Sequence, residues 1–311
     1  MKAVRYHEYG DPSVMRIEEV DQPVPGPGQV LVQVAATAFN ELDATMRAGF
    51  LQQAFPIRLP HTPGFDVAGT IVALGDGVNG FSIGDPVIGF LPMTEDGAAA
   101  DFVLAPAEVL TAAPTSIPLT EAAALPSPSL TAWQALFEHA DLRSGQRVLV
   151  NGAGGGVGGF VVQLARQADA TVIATASGRS AGAVRDDGAD QVVDYTETKV
   201  TDAVTGQVDV VINLVRASDD DMVALVGLVR DGGVLVTTTP PAKEDAARKV
   251  RTVSMFVRSD AGQLATIVGR VNDGSLRVDV SGTYPLSEIA KVHELSAAGE
   301  TRGKVLLVPG G

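Results

Sequence analysis

Over the first 114 residues, apolar positions come in short alternating or β-rich runs: QVLVQVAAT (29 to 37), GTIVALGDGV (69 to 78) and GDPVIGF (84 to 90). PVPGPG and Gly-Asp pairs cut them apart. Period-two alternation punctuated by turn residues predicts mostly antiparallel β-structure. Near residue 120 the pattern changes. TEAAALPSPSLTAWQALFEHADLRSG spaces Leu130, Trp133, Leu136 and Phe137 as a helix does and closes at Gly145, which predicts a connecting helix. Strand-length apolar runs then alternate with helical stretches. The strands are RVLV (147 to 150), TVIATA (171 to 176), QVVDY (191 to 195), VDVVIN (208 to 213), GVLVTTT (233 to 239) and TVSMFV (252 to 257). Helices are predicted over Val157 to Gln167 and Asp219 to Arg230. Six such strands separated by helices predict a doubly wound parallel sheet. After residue 274, LRVDV and GKVLLV return to the first texture. The expectation is therefore an α/β chain of two domains: a β-rich domain made of residues 1–120 and 274–311, and an inserted doubly wound domain over 121–273.

Composition narrows the function. The 311 residues carry 37 acidic and 23 basic side chains, a formal charge of −14, with no stripe of Lys or Arg. A nucleic-acid backbone is repelled by such a surface, whereas a small anionic cofactor can still be held by a local nest of backbone N–H groups. The absence of cysteine removes disulfides, thiolate catalysis and Cys-based zinc sites. The four histidines, His7, His61, His139 and His293, show no metal-binding spacing, so no metal is expected. No 18 apolar residues run together and MKAVRYHEYG lacks a signal-peptide core, which points to a cytoplasmic protein without a membrane partner.

The candidate chemistry begins at NGAGGGVGGF (151 to 160), six glycines in ten positions between a predicted strand and a predicted helix. A strand turning sharply into a helix offers unpaired N–H groups and the positive end of the macrodipole to a phosphate, and side chains would block the approach. The strict G-x-G-x-x-G pattern fits Gly154, Gly156 and Gly159; a second register uses Ala153, Gly155 and Gly158, and pattern alone leaves both open. In a Rossmann fold that prefers NAD, an acid about 20 residues on binds the ribose 2′-hydroxyl. Here the second strand runs into Ala176, Ser177, Gly178, Arg179 and Ser180, with no acid among them. Ser177 and Arg179 suit a 2′-phosphate, which predicts NADPH. The competing reading makes Arg179 a solvated residue at a helix start.

With these motifs on the page, the chain resembles the zinc-independent, zeta-crystallin-like quinone oxidoreductases of the medium-chain dehydrogenase/reductase superfamily, over nearly its whole length. The carriers are NELD (40 to 43), PHTPGFDVAGTI (60 to 71), GDPVIGF, LTAWQAL (130 to 136), NGAGGGVGG (151 to 159), ATASGRS (174 to 180), GADQVVDY (188 to 195), MFVRSDAGQL (255 to 264) and RGKVLLV (302 to 308). The resemblance implies a groES-like substrate domain with an inserted Rossmann domain. It favours the register Ala153, Gly155, Gly158, with Gly156 and Val157 in the same loop. It further implies Ser177 and Arg179 at the 2′-phosphate, Tyr195 near the adenine, and Asn40, Thr131, Phe256 and Val257 around the nicotinamide. Pairing of the last Rossmann strand into a homodimer is also implied. Two departures stand out. Glu41 and Thr45 replace the proline and aromatic that often flank the family's Asp, and Arg216 and Ala217 replace glycines after the fourth strand.

Where zinc-dependent relatives place their first metal ligand, this chain has Asn40. Alcohol oxidation needs a metal or strong base to remove the hydroxyl proton. A quinone or enone asks less, because hydride addition yields a delocalised phenolate or enolate. The expected function is thus NADPH-dependent reduction of a quinone or α,β-unsaturated carbonyl, with Asn40 and Thr131 orienting the reactants and solvent supplying the proton. The alternatives are an enoyl-thioester reductase and a nucleotide-binding protein of this fold with little turnover. Asn40 as a turn-capping residue, Asp43 as a helix cap, and Phe50, Phe65 and Phe90 as core or pocket lining are the further expectations.

Overall fold

The computed structural model describes residues 1–240 and 242–310. The chain divides into two compact units, Met1–Ser127 with Ser259–Gly311, and Pro128–Arg258.

In the second unit, six strands form one parallel sheet: β8 (Arg147–Asn151), β9 (Thr171–Ala176), β10 (Gln191–Asp194), β11 (Val208–Asn213), β12 (Val229–Thr237) and β13 (Arg251–Ser254). Their order is β10-β9-β8-β11-β12-β13, so the winding reverses between β8 and β11. The strands read as unbroken apolar runs because both faces are covered. On one face Leu149, Ile173, Val211 and Leu235 pack with Met222, Leu225 and Val226 of α7 (Asp219–Leu228), all buried. Buried Val148, Val150, Val172, Ala174, Val210 and Ile212 alternate with them along their strands.

Several expected bounds shift. The connecting helix is broken into α2 (Leu119–Ala122), α3 (Pro126–Trp133) and a widened π-turn at Gln134–His139, where Ala140 N–H reaches back five residues to Ala135 O. β12 starts at Val229, so α7 stops at Leu228 and Arg230 lies in a strand. β13 stops at Ser254; Met255 N–H still donates to Thr237 O of β12 (2.9 Å), and farther on the Gln134 amide donates to Arg258 O (3.0 Å) and accepts from Arg258 N–H (3.1 Å). Met255, Phe256 and Val257 are therefore outside the strand.

The first unit is the antiparallel one. β3 (Gln29–Ala38) pairs with β4 (Asp66–Leu74) and with β6 (Phe102–Pro106); β4 pairs with β5 (Pro86–Phe90), and β5 with β7 (Leu110–Ala112). At the other edge β15 (Lys304–Val308) joins β3, and β14 (Val280–Pro285) lies parallel to β15, so the chain's last segment completes this sheet. Of LRVDV only Val280 is in a strand. Val30, Val32, Val67, Ile71, Val87 and Val103 build the core between the strands. The unit's limits, 127 and 259, differ from the expected 120 and 274. α8 (Ala261–Asn272) packs on β7, and Asn272 Oδ1 accepts from Thr115 N–H (2.8 Å) and Ser116 N–H (3.2 Å). Among the described residues no helix is long and apolar enough to cross a membrane.

Candidate active site

The glycine loop leaves β8 at the point where the strand order reverses, the position at which parallel α/β sheets bind their ligands. Gly152 turns the chain, with φ +96°, one residue before the expected fingerprint starts. α4 (Gly158–Gln167) begins at Gly158. A Cβ on Gly158 would lie 2.5 Å from Ala153 Cα, Ala153 O and Gly152 O, all backbone, so only glycine permits this approach of helix to loop. At Gly155 the nearest atom to such a Cβ is Gly152 O at 3.5 Å, and the residue faces solvent. Open backbone followed by a close contact three residues later is what pyrophosphate access and tight packing require. At Gly159, in the other register, a Cβ would meet only the Asp187 carboxylate, at 3.0 Å. Ala153 is buried; Gly156 and Val157 are half-buried, and Val157 is the residue that precedes the helix.

Ser177 (half-buried) and Arg179 (exposed) follow β9 directly. Tyr195, 56% exposed, follows the neighbouring β10, and its N–H donates to Ala176 O (3.3 Å), so all three residues share one edge. One acid that the sequence reading left aside reaches this edge: Asp194 Oδ2 is 4.0 Å from where a Gly178 Cβ would stand. Asp194 accepts from Thr196 N–H and Oγ1, which holds its carboxyl below the usual range. Thr131, buried in α3, lies one turn before Gln134, the residue that pins Arg258. Phe256, exposed, and Val257, half-buried, belong to the pinned segment.

Beneath the loop runs a polar chain that sequence reasoning missed. Gly152 N–H donates to Thr175 Oγ1 (2.9 Å), which donates to Asn151 Oδ1 (3.0 Å); Asn151 Nδ2 donates to Asn213 Oδ1 (2.8 Å). Asn213 Nδ2 then reaches Val215 O (2.9 Å), Thr237 Oγ1 and Thr239 Oγ1 (both 3.1 Å). The carboxyl ends of β8, β9, β11 and β12 are thereby tied together under the glycine turn. The one signal in the sequence was an Asn closing each of two apolar strands, RVLVN and VDVVIN.

In the first unit, Asn40 is the residue before α1 (Glu41–Arg47). Its backbone N–H donates to Asp43 Oδ2 (3.0 Å), and Asp43 Oδ1 accepts from Gly64 N–H (3.0 Å). Asp43 is therefore a cap, but a buried one, and burial pushes its carboxyl up to about 7 against the pull of those N–H donors. The Asn40 side chain points away from the cap. Nδ2 donates to Asp66 Oδ2 (3.0 Å) and Ala38 O (3.3 Å), while Oδ1 accepts from Lys304 Nζ (2.7 Å) and Ser127 Oγ (3.2 Å). Asp66 and Lys304 are buried and pair at 3.5 Å. Neither they nor Ser127 were singled out from sequence, although each ion opens an otherwise apolar strand, DVAGTIVAL and KVLLV. Phe65 and Phe90 are core residues, and Phe50 is 79% exposed.

Comparison with known proteins places this geometry. Residues 26–115 match the alcohol dehydrogenase GroES-like domain and residues 188–307 the zinc-binding dehydrogenase model. The chloroplast envelope quinone oxidoreductase homolog of Arabidopsis thaliana is 31% identical over 99% of this chain and 98% of its own. Among solved structures, the quinone oxidoreductase from Coxiella burnetii superimposes with a TM-score of 0.91 at 29% identity, covering 99% of both chains. A mycobacterial protein solved in complex with NADPH superimposes with a TM-score of 0.87 at 29% identity, over 99% of this chain and 100% of that one. Near-complete coverage of both the GroES-like sheet and the parallel sheet, at this identity, makes the chain an oxidoreductase and a member of the quinone oxidoreductase family within the medium-chain dehydrogenase/reductase superfamily.

Proposed function

We propose that the protein is an NADPH-dependent, zinc-independent reductase of quinones or α,β-unsaturated carbonyls. The observation that carries this reading is the β8–α4 loop, open at Gly155 and closed against backbone at Gly158, with Ser177 and Arg179 at the next strand end. The mycobacterial relative bound to NADPH supports the cofactor. Bound there, NADPH supplies the hydride.

The chain's own residues then have separable tasks. Ala153, Gly155, Gly156, Val157 and Gly158 present backbone N–H groups and the α4 N-terminus to the pyrophosphate. Ser177 donates to the 2′-phosphate and Arg179 neutralises it, while Tyr195 covers the adenine. Thr131, Phe256 and Val257 hold the nicotinamide end, and Asn40 orients the acceptor. The proton that completes the reduction comes from solvent, since a phenolate or enolate product is basic enough to take it without a dedicated acid.

The matched model's name carries zinc, and the donors here do not fit it. The chain has no cysteine, and among the described residues no three His, Asp or Glu side chains gather as a metal would require. The oxygens of Asn40 and Asp66 already surround the Lys304 ammonium. A homodimer through β13 belongs to the same reading: among the described residues β13 ends the sheet order with β12 on one side, and a strand at a sheet edge suits pairing with a second copy.

The test follows NADPH and NADH oxidation separately with ortho- and para-quinones, enones and enoyl thioesters. NADPH-selective turnover of quinones or enones is expected, and Arg179→Ala is expected to weaken NADPH about tenfold or more while sparing NADH. Equal losses for both cofactors overturn the 2′-phosphate role. Preference for thioesters, or NADPH binding without oxidation, moves the function to one of the alternative readings.

A further inference from the structure

Lys304 opens β15, whose remaining residues, VLLV, are apolar, and its side chain is 5% exposed. Burying an ammonium is costly, and replacing a buried ion pair with apolar residues of similar volume is often neutral or stabilising, so stability alone does not account for it. Its surroundings do. The three N–H bonds of Nζ face three oxygens: Phe39 O (2.9 Å), Asn40 Oδ1 (2.7 Å) and Asp66 Oδ2 (3.5 Å). Asp66, fully buried, also accepts from Ser127 N–H (2.6 Å), Ser127 Oγ (2.8 Å) and Asn40 Nδ2 (3.0 Å).

This arrangement dictates which way the Asn40 amide points. Reversing it would set the NH2 group against the ammonium and the carbonyl against the Asp66 carboxylate. Every hydrogen-bonding position of the amide is engaged, and the bond from Nδ2 to Ala38 O, at 3.3 Å, is the longest of the four. It is the one most readily yielded to the oxygen of an incoming carbonyl. A cation on Oδ1 draws electron density from the amide and strengthens its N–H groups as donors to an oxygen that gains charge.

We propose that Lys304 is a positioning residue, an internal cation that with Asp66 locks and polarises the Asn40 amide for the acceptor's developing oxyanion. The proposal rests on the reading of Asn40 as the acceptor-side residue. Lys304 itself touches neither reactant. It takes the place of an external cation in a nest of oxygens, consistent with the misfit of zinc there.

The experiment uses the full-length protein with Lys304→Ala and, because a lone buried Asp66 threatens folding, the charge-free pair Lys304→Met with Asp66→Asn. Both are expected to keep the NADPH dissociation constant and the quinone KM within about threefold, while kcat falls about 10- to 100-fold, the range for a partner that orients a working group. Lys304→Ala lacks the equivalent of n-propylamine. Added n-propylammonium is expected to restore kcat at least tenfold, saturably, where sodium chloride of equal ionic strength does not. A second readout needs no acceptor: the side-chain NH2 pair of Asn40 in 15N–1H spectra, identified by its loss in Asn40→Ala. It is expected to shift in both variants and to return with n-propylammonium in Lys304→Ala. Wild-type kcat in the double variant, or an unmoved Asn40 pair, overturns the proposal. If none of the quinones, enones or enoyl thioesters supports NADPH oxidation by the wild-type protein, the functional reading fails, and the Asn40 resonances still decide the positioning role.

Discussion

Single alanine substitutions in the glycine loop test the local physics of the proposed NADPH site, because three neighbouring glycines meet three different surroundings. In Gly158→Ala the new methyl would stand 2.5 Å from three backbone atoms that no rotamer change can move. Ordinary carbon contacts need about 3.5 Å, so helix and loop must separate by about 1 Å. Overpacking of this kind costs about 1–3 kcal/mol, and the better helix propensity of alanine returns at most about 1 kcal/mol. Gly155→Ala meets nothing closer than 3.5 Å and lies outside the left-handed region, so its stability is expected to stay within about 0.5 kcal/mol of wild type. Its methyl does project into the open side of the loop, and NADPH affinity is expected to fall at least about tenfold. Gly159→Ala touches only the Asp187 carboxylate, at 3.0 Å and on a side chain rather than backbone, so smaller losses than at Gly158 are expected. Urea unfolding without ligand and fluorescence titration with NADPH separate the outcomes. Wild-type stability and affinity in Gly158→Ala together with losses in Gly159→Ala would refute the reasoning and return the fingerprint to the other register.

Further outcomes concern the buried polar groups. Asn213→Leu removes the hub under the loop and strands the Asn151 amide; a loss of about 2–4 kcal/mol is expected in urea unfolding, with weaker NADPH binding, and an unchanged midpoint would show that the chain of amides and hydroxyls is dispensable. His293, buried against Phe39, is pushed down to about 3 by desolvation and then by the Arg47 charge. The unfolded chain protonates this imidazole from about pH 6.5 downward while the folded one does not, so its contribution is complete above pH 6.5 and is lost as pH falls toward 3, up to about 5 kcal/mol. His293→Phe is expected to flatten that acid limb. Asp43 works in the opposite sense: its carboxyl titrates at about 7 when folded and near 3.8 when unfolded, so stability is lost as pH rises between those values, and Asp43→Asn is expected to reduce that slope.

Much of the architecture was legible because its causes are local. Apolar runs such as TVIATA and VDVVIN are bounded by turn residues, and their strands fall on the expected residues, Thr171–Ala176 and Val208–Asn213. The helix expected from Val157 starts one residue later, at Gly158. Boundaries moved where a distant partner intervened. The Gln134 amide captures the backbone of Arg258 four residues after β13 ends, and α8 joins the first unit through Asn272 and residues 115 and 116. No local pattern encodes either contact.

The candidate site divides along the same line. Glycine spacing after a strand, and serine and arginine after the next one, are statements about neighbouring residues, so the amino-acid order alone determined the Rossmann loop and the absence of cysteine ligands. What a methyl group would meet differs from glycine to glycine, backbone at Gly158 and the Ser180 side chain at Gly154, and those ångström distances exist only in the folded chain. The same holds for Asn40. Its position in NELD marked it as a candidate, but the direction of its amide is set by Lys304, Asp66 and Ser127, residues 264, 26 and 87 positions away. Hydrophobic burial is additive and leaves a periodic trace in the sequence; a buried charge is tolerable only where several remote groups converge, and that convergence exists only in three dimensions.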